Sequence, residues 1–162
     1  MDDVRRAFEA ARFDSVRTCL RSGNVIFDCP RASRAAIHQA IRRAFCKRFD
    51  AEPEFVLRSS REMERLVGSD PFRRGAAAGP RVKLYVAFLL RQPRCTPAFP
   101  LVSAKEALTA VAMTNLEVFL VSRLKPNGFF GFPNNFIEQA LSVPATTRNW
   151  STVTKIVTAL GD

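Results

Sequence analysis

The chain has 162 residues, of which 47% are hydrophobic, and it carries a formal net charge of +10 with a pI of about 10.5. This is enough apolar material for a core in one domain or in two small lobes. The longest apolar run, Leu84 to Leu90, is far too short to span a membrane. A single histidine, His38, nearly excludes His-based zinc sites and weakens any Ser-His or Cys-His catalytic scheme.

The excess of basic residues favours an acidic partner, such as nucleic acid, a phosphorylated small molecule or an anionic membrane. The alternative is a solvated surface from an arginine-rich proteome. The four cysteines show no C-x-x-C pair and no metal-ligand spacing, so we expect no metal and no cofactor. The sequence shows no signal peptide, and a reducing cytoplasm is the expected compartment.

Residues 2–12 predict a short helix, and residues 16–28 predict a β-hairpin with a two-residue turn at Ser22-Gly23. The predicted cross-strand pairs are Leu20–Val25, Thr18–Phe27, Val16–Cys29, Arg17–Asp28 and Arg21–Asn24. In this register Cys19 faces Ile26, so a disulfide between Cys19 and Cys29 is not favoured.

Residues 33–49 predict a second helix, followed by a strand at residues 54–58 and a short helix at residues 60–68 capped by Ser59 or Ser60. Six basic residues flank the apolar stripe of the second helix, and they are Arg31, Arg34, Arg42, Arg43, Lys47 and Arg48. Their long side chains either pack around the core face or form a nucleic-acid face.

Residues 69–80 have the composition of a loop. Beyond them the pattern predicts strands at 82–90, 109–114 and 117–122, and helices at 103–108, at 135–141 and from about Asn149 to the end. Each half of the chain therefore approximates a split βαβ plan. We predict an α+β fold of two ferredoxin-like lobes, with an incomplete first lobe at residues 1–80 and a second lobe with a closing helix at residues 81–162.

Residues 146–155 hold the only tryptophan, Trp150, behind several good helix-capping residues. A helix that starts near Arg148 places Arg148, Thr152 and Lys155 on one face, opposite an apolar stripe. With Asn149, these residues are a candidate anion site at a positively polarised helix start. The alternative is a capped helix with a solvated outer face.

A second candidate anion site is the hairpin turn Ser22, Gly23 and Asn24, because such loops can offer backbone N–H groups to an anion. The outward-facing Arg17 and Arg21 strengthen this interpretation, and the alternative is a turn without a binding role. Four phenylalanines could stack on bases or line a pocket, or could plug a gap between the lobes, and they are Phe129, Phe130, Phe132 and Phe136.

Three stretches resemble a known bacterial family. Residues 16–27 contain Val-Arg-Thr and Arg-Ser-Gly-Asn-Val-Ile-Phe, which resemble its Val-Arg-Thr-Tyr-x-x-Ser-Gly-Asn-Val-x-Phe segment. Residues 70–72 resemble its Asn-Pro-Phe, and residues 143–155 closely resemble its C-terminal signature. The family is a domain of unknown function, number 1697. The resemblance implies an α+β protein of two ferredoxin-like lobes, and it implies no activity.

The chain departs from this family at two places. Members usually begin with a strand resembling Ala-Leu-Leu-Arg-Gly-Ile-Asn-Val-Gly-Gly, ahead of the helix with which this chain starts. We therefore expect the first lobe to lack its opening strand. Either Met1 is a late or mis-called start, or the open sheet is completed by rearrangement, by a partner strand or in a homo-oligomer. Residues 128–135, Gly-Phe-Phe-Gly-Phe-Pro-Asn-Asn, replace a Gly-x-Ser-Lys stretch that members often carry.

The sequence contains no Walker loop, no G-x-G-x-x-G, no H-E-x-x-H and no G-x-S-x-G motif. We expect a non-catalytic module that binds nucleic acid or a small phosphorylated anion, with no membrane partner. One alternative is a small enzyme acting on a phosphate or carboxylate compound without histidine, which requires the Ser22 turn, Arg148 and Asn149 to converge with an acid such as Asp70 or Asp28. Another is a structural or oligomeric protein.

Overall fold

The computed structural model describes residues 2–19, 23–73 and 79–161, which form five helices and seven strands. Their antiparallel sheets and interspersed helices confirm the predicted α+β class. The chain divides into two compact units, residues 1–57 and residues 58–162. The predicted boundary at residue 80 differs because the helix at 60–68 packs with the second unit.

Unit 1, residues 1–57, contains α1 (Asp2–Ala10), β1 (Asp14–Cys19), β2 (Asn24–Asp28) and α2 (Arg34–Phe49). Its core is largely aromatic. Phe8 and Phe13 are buried and both rings contact Phe27, with centroids 5.1 and 4.6 Å away. Ile41 is the buried residue of α2, and its helix starts at the predicted place because the Ser33 hydroxyl accepts a hydrogen bond from the Ala36 N–H.

The hairpin of β1 and β2 is present, but its predicted register is wrong by two residues. Thr18 faces Val25 and Cys19 faces Asn24, so four residues connect the strands instead of two. The Asn24 side chain donates to the Cys19 carbonyl at 3.2 Å, which stabilises the pairing next to this longer connection. A two-residue shift preserves the alternation of faces along β2, so Val25 and Phe27 pack on the core as predicted, whereas Thr18 is exposed.

The predicted strand at residues 54–58 is wrong. This segment joins no sheet, and Phe55 and Leu57 instead pack onto the apolar core of unit 1. The Arg34 guanidinium donates to the Leu57 carbonyl at 2.9 Å, a side-chain bond in a place where a strand would have made a backbone bond. Phe55 and Leu57 are two positions apart, as on one face of a strand, but packing onto a core does not by itself require a neighbouring strand.

Unit 2, residues 58–162, is built on one antiparallel sheet with the order β4-β5-β6-β3-β7. Its elements are α3 (Ser60–Gly68), β3 (Val82–Leu89), β4 (Leu101–Ser103), β5 (Leu108–Met113), β6 (Glu117–Arg123), α4 (Asn134–Leu141), β7 (Ala145–Asn149) and α5 (Trp150–Leu160). Helix α4 covers one face, where Ile137 packs with Tyr85 and Leu89. On the other face, Phe72 contacts Phe119 and Trp150 edge-on.

Two predictions about unit 2 are wrong. Residues 103–108 are not a helix, because Leu101 and Val102 pair with β5 and the intervening turn holds Ala107 at φ 52°, which a right-handed helix does not contain. The helix predicted to start near Arg148 begins at Trp150 instead, because residues 145–149 pair with residues 85–89 of β3 as a strand that ends at the N-cap residue Asn149. The order β5-β6-β3-β7 is compatible with a split βαβ plan, and the ferredoxin-like description stays a prediction.

No helix within residues 2–19, 23–73 and 79–161 combines the length and the apolar character needed to cross a membrane.

Candidate anion-binding site

Arg148 lies on strand β7, opposite Val86 of the central strand β3. Its guanidinium is half-buried and donates to the Thr146 hydroxyl at 2.8 Å and to the Thr147 carbonyl at 2.9 Å. Burial lowers the pKa of the Arg148 guanidinium from its usual value, because an apolar environment disfavours the charged form. Arg148 therefore has a structural role at the end of the sheet, whatever else it binds.

Helix α5 begins at Trp150, so the predicted face of Arg148, Thr152 and Lys155 on one helix is wrong. Asn149 is the N-cap residue, and within the part of the chain that the structure describes its side chain makes no capping hydrogen bond. Lys155 is exposed five residues beyond Trp150, about 7.5 Å along the axis. The helix dipole acts mainly within the first turn, so Lys155 adds little to a site at the helix start.

The polar residues before α5 serve a network that the sequence did not reveal. The Thr147 hydroxyl donates to the Asn134 side-chain oxygen at 2.9 Å, and the Asn134 amide donates to Glu138 at 3.2 Å. The same Glu138 oxygen accepts the Ala145 N–H at 2.8 Å. This network fastens β7 to α4, and the only signal for it was the spacing of Asn134 and Glu138 on one helix face.

The second predicted group lies in unit 1. Ser22 and Arg21 fall outside the described residues. Gly23 has φ +73°, the left-handed region that favours glycine, and Arg17 is exposed on β1 opposite Ile26. The two predicted groups thus belong to different units, and the convergence that the enzymatic alternative requires stays a prediction.

The basic residues of helix α2 are largely engaged within unit 1. Arg42 pairs with Glu52, Arg48 pairs with Asp3, and Arg34 donates to a backbone carbonyl. The hydrogen bond and charge of Arg48 lower the pKa of Asp3 below its usual value. These contacts favour the structural interpretation of the α2 arginines over a nucleic-acid face.

An open groove of about 580 Å³ runs along the outer side of α2. It is lined by Ala35, His38, Gln39, Arg42, Arg43, Cys46 and Glu52. The His38 ring stacks on Phe55 at 4.3 Å, which gives the single histidine a packing role. Because Glu52 pairs with Arg42, Arg43 supplies most of the remaining positive charge of the groove.

The excess of exposed basic over exposed acidic side chains is concentrated in unit 2, because exposed carboxylates balance most of the exposed basic residues of unit 1. Among its described residues, ten basic side chains are exposed, and they are Arg61, Arg65, Arg73, Arg81, Lys83, Arg91, Arg94, Lys105, Arg123 and Lys155. Only two carboxylates, Glu64 and Asp70, are exposed in the same set. Net charge was readable from the sequence, but this imbalance depends on which side chains the fold exposes.

No group of three or more His, Cys, Asp or Glu side chains in the described ranges is arranged to hold a metal ion.

Comparison with known families gives one match. A family model described as "Protein of unknown function (DUF1697)" matches residues 1–119. No curated protein and no solved structure matches the chain. The match includes the hairpin motif and residues 70–72 but ends before residues 143–155, whose similarity to the family signature stays a prediction.

Proposed function

Because the chain belongs to the family of proteins of unknown function DUF1697, whose description states no activity, we propose from its surface chemistry that it is a non-catalytic module that binds an anionic partner. The partner is nucleic acid or a phosphorylated ligand, which present the same phosphate chemistry. The observation that carries the proposal is the ratio of ten exposed basic side chains to two exposed carboxylates among the described residues of unit 2.

This imbalance has a physical consequence. Like charges crowded on one small unit repel each other, and the resulting positive potential attracts polyanions and accelerates their association. An anionic partner relieves the repulsion, and phosphate oxygens accept strong hydrogen bonds from guanidinium and ammonium groups. Exposed arginines can make these bonds without first breaking a buried contact.

Cysteine chemistry supports a cytoplasmic location as part of this proposal. Cys29, Cys46 and Cys95 are exposed free thiols, and Cys19 is a half-buried one. Exposed thiols persist in reducing compartments and are oxidised or paired in oxidising ones.

The test is binding of fluorescein-labelled single-stranded and double-stranded oligonucleotides of about 20 nucleotides, followed by anisotropy between about 20 and 200 mM salt. We expect the logarithm of the binding constant to fall with the logarithm of salt concentration, with a slope of about −3 or steeper. Competition with pyrophosphate distinguishes a small phosphorylated ligand from a polynucleotide, because only a dedicated small-anion site is blocked at stoichiometric concentration.

Two matched double variants test whether the charge of unit 2 is responsible. Arg81→Gln/Arg123→Gln removes two exposed charges from unit 2, and Arg31→Gln/Arg43→Gln removes two from unit 1. We expect the first pair to reduce the salt slope by about 2 and the second pair to leave it nearly unchanged. Absence of salt-dependent binding to any of these anions would refute the proposal.

A further inference from the structure

Two phenylalanines of unit 2 are exposed within a four-residue stretch. Phe129 is 70% exposed and Phe132 is 60% exposed, whereas the intervening Phe130 is half-buried. Single exposed apolar residues are common and need no explanation. Here two large exposed rings lie within four residues on a unit that is rich in exposed basic side chains, and they form a surface that can contact a partner.

The segment that carries these rings is closed by its own hydrogen bonds. The Gly128 N–H donates to the Lys125 carbonyl at 3.0 Å, and the Lys125 N–H donates to the Phe129 carbonyl at 2.9 Å. The Phe129 N–H also donates to the Asn127 side-chain oxygen at 3.1 Å, and Gly128 takes φ +80°. The turn is thus fixed by local bonds, so Phe129 is presented from an ordered backbone.

The next residues are anchored to the sheet. The buried Ser122 hydroxyl donates to the Gly131 carbonyl at 3.0 Å, and Leu124 bridges to Phe130. Gly131 packs so closely that an added Cβ would lie 2.2 Å from the Glu106 carbonyl oxygen. Such anchoring lowers the ordering cost of binding, because the partner does not have to immobilise the backbone that carries the rings.

Basic side chains lie next to these aromatic rings. The Lys83 ammonium lies 4.4 Å from the centroid of the Phe130 ring, and the Phe132 ring contacts Tyr85 edge-on at 6.1 Å. Lys125 lies beside Glu106 at 3.0 Å, which partly compensates its charge. Arg81 and Arg123 are also exposed at this end of the β3–β6 pair, where Val82 faces Arg123.

We propose that the surface formed by Lys83, Phe129, Phe130 and Phe132, which we name the aromatic-basic surface, binds single-stranded nucleic acid. The exposed rings of Phe129 and Phe132 stack on bases, and Lys83 with the flanking Arg81 contacts phosphates. The inference rests on the proposed anion-binding function and assigns it a location and a class of ligand.

Single strands fit this surface better than duplexes do. A phenyl ring can stack on a base only where the face of that base is free, and base pairs in a duplex have both faces covered by their neighbours. The Cα atoms of Phe129 and Phe132 are at most about 11 Å apart, since the two residues are three positions apart in the sequence. Both rings can therefore serve one short stretch of the same strand.

The experiment uses the full chain and labelled single-stranded DNA, single-stranded RNA and duplex DNA of equal length. Phe129→Ala/Phe132→Ala removes both exposed rings and changes no charge. Val102→Ala is the matched control, because Val102 is 66% exposed on β4 of the same unit. We expect single-strand binding to weaken about fivefold per ring in the phenylalanine variant, with an unchanged salt slope, and to be unaffected in the control.

Circular dichroism and thermal unfolding of each variant verify that the unit remains folded, and single replacements of Phe129 and Phe132 separate their contributions.

Salt-dependent binding that is equal for single strands and duplexes, with the phenylalanine variant matching the Val102 control, would overturn the aromatic-basic surface and leave the anion-binding proposal standing. Absence of salt-dependent binding overturns both. If the phenylalanine variant loses binding to anionic phosphatidylserine vesicles but keeps its oligonucleotide binding, the surface is assigned to a membrane and the inference is overturned.

Discussion

We expect Glu117→Gln to destabilise residues 58–162 by about 2–3 kcal/mol. The Arg58 Nε donates to the Glu117 carboxylate at 2.8 Å, and the two side chains are only 11% and 16% exposed. The Thr114 hydroxyl donates to the other carboxylate oxygen. Arg58 also lies over the Phe88 ring, with 5.6 Å between the guanidinium carbon and the ring centroid. Glutamine preserves the shape of Glu117 and removes its charge.

The magnitude follows from the burial of the pair. Removing one partner of a fully buried ion pair typically costs about 3–5 kcal/mol, because the other charge is left in an apolar environment without its counterion. The small remaining exposure of Arg58 and Glu117 allows some hydration of the guanidinium, which reduces the expected loss. The Leu116 carbonyl, at 3.5 Å from Arg58, further limits it.

The assay is thermal and urea unfolding followed by circular dichroism at constant pH and salt. For a chain of this length we expect the melting temperature to fall by about 4–12 °C. Glu64→Gln is the matched control, because Glu64 is an exposed residue of α3 in the same unit and the substitution removes the same charge. The control should stay within about 0.5 kcal/mol of the wild type.

A second variant distinguishes the lost ion pair from other damage. In Arg58→Met/Glu117→Leu both charges are replaced by apolar side chains, so no buried charge of this pair remains and much of the stability lost in Glu117→Gln should be recovered. The reasoning is refuted if Glu117→Gln is as stable as the Glu64→Gln control. It is also refuted if Arg58→Met/Glu117→Leu is less stable than Glu117→Gln by as much as a second, independent destabilisation would predict.

Two further predictions concern the aromatic-basic surface and its support. Gly131→Ala should destabilise unit 2 by about 1–3 kcal/mol in urea unfolding, because its Cβ would meet the Glu106 backbone, whereas Gly68→Ala, in open space, should not destabilise it. Burial raises the pKa of Tyr85, the only tyrosine, so its phenolate absorbance should appear above pH 10 when folded and near pH 10 in urea. Stability should be unaffected below pH 10 and fall as pH rises through the raised pKa. Phe132→Ala, which exposes the Tyr85 ring, should lower the pKa of Tyr85 towards its usual value. A titration midpoint of Tyr85 that is the same in folded and unfolded protein would contradict the expected effect of burial.

The helices were the part of the fold most accessible from the sequence, because their ends depend on neighbouring residues. Ser33 was expected at the start of α2, and its hydroxyl indeed accepts from the Ala36 N–H. The start of α3 is a capping box in which Ser59 and Glu62 bond each other's backbone N–H groups. Such signals lie within four residues of chain and need no knowledge of the rest of the molecule.

The candidate site was harder to predict, since its residues change role with their element. Arg148 was expected on a helix and lies on a strand, where its guanidinium binds Thr146 and Thr147. The sequence indicated Phe129 and Phe132 as possible base-stacking residues but not that their rings are exposed, because exposure depends on what the fold brings over them.

The sequence by itself therefore determined the α+β class, the family resemblance, the positive charge and the helices with local caps. Only the tertiary structure decided the hairpin register, the strand at residues 145–149 and the absence of a strand at 54–58. Strand pairing joins residues far apart in sequence, as β3 and β7 show, so its energy is not encoded in any short window. The same holds for charge, because the number of basic residues is a sequence property and their exposure is a property of the packed unit.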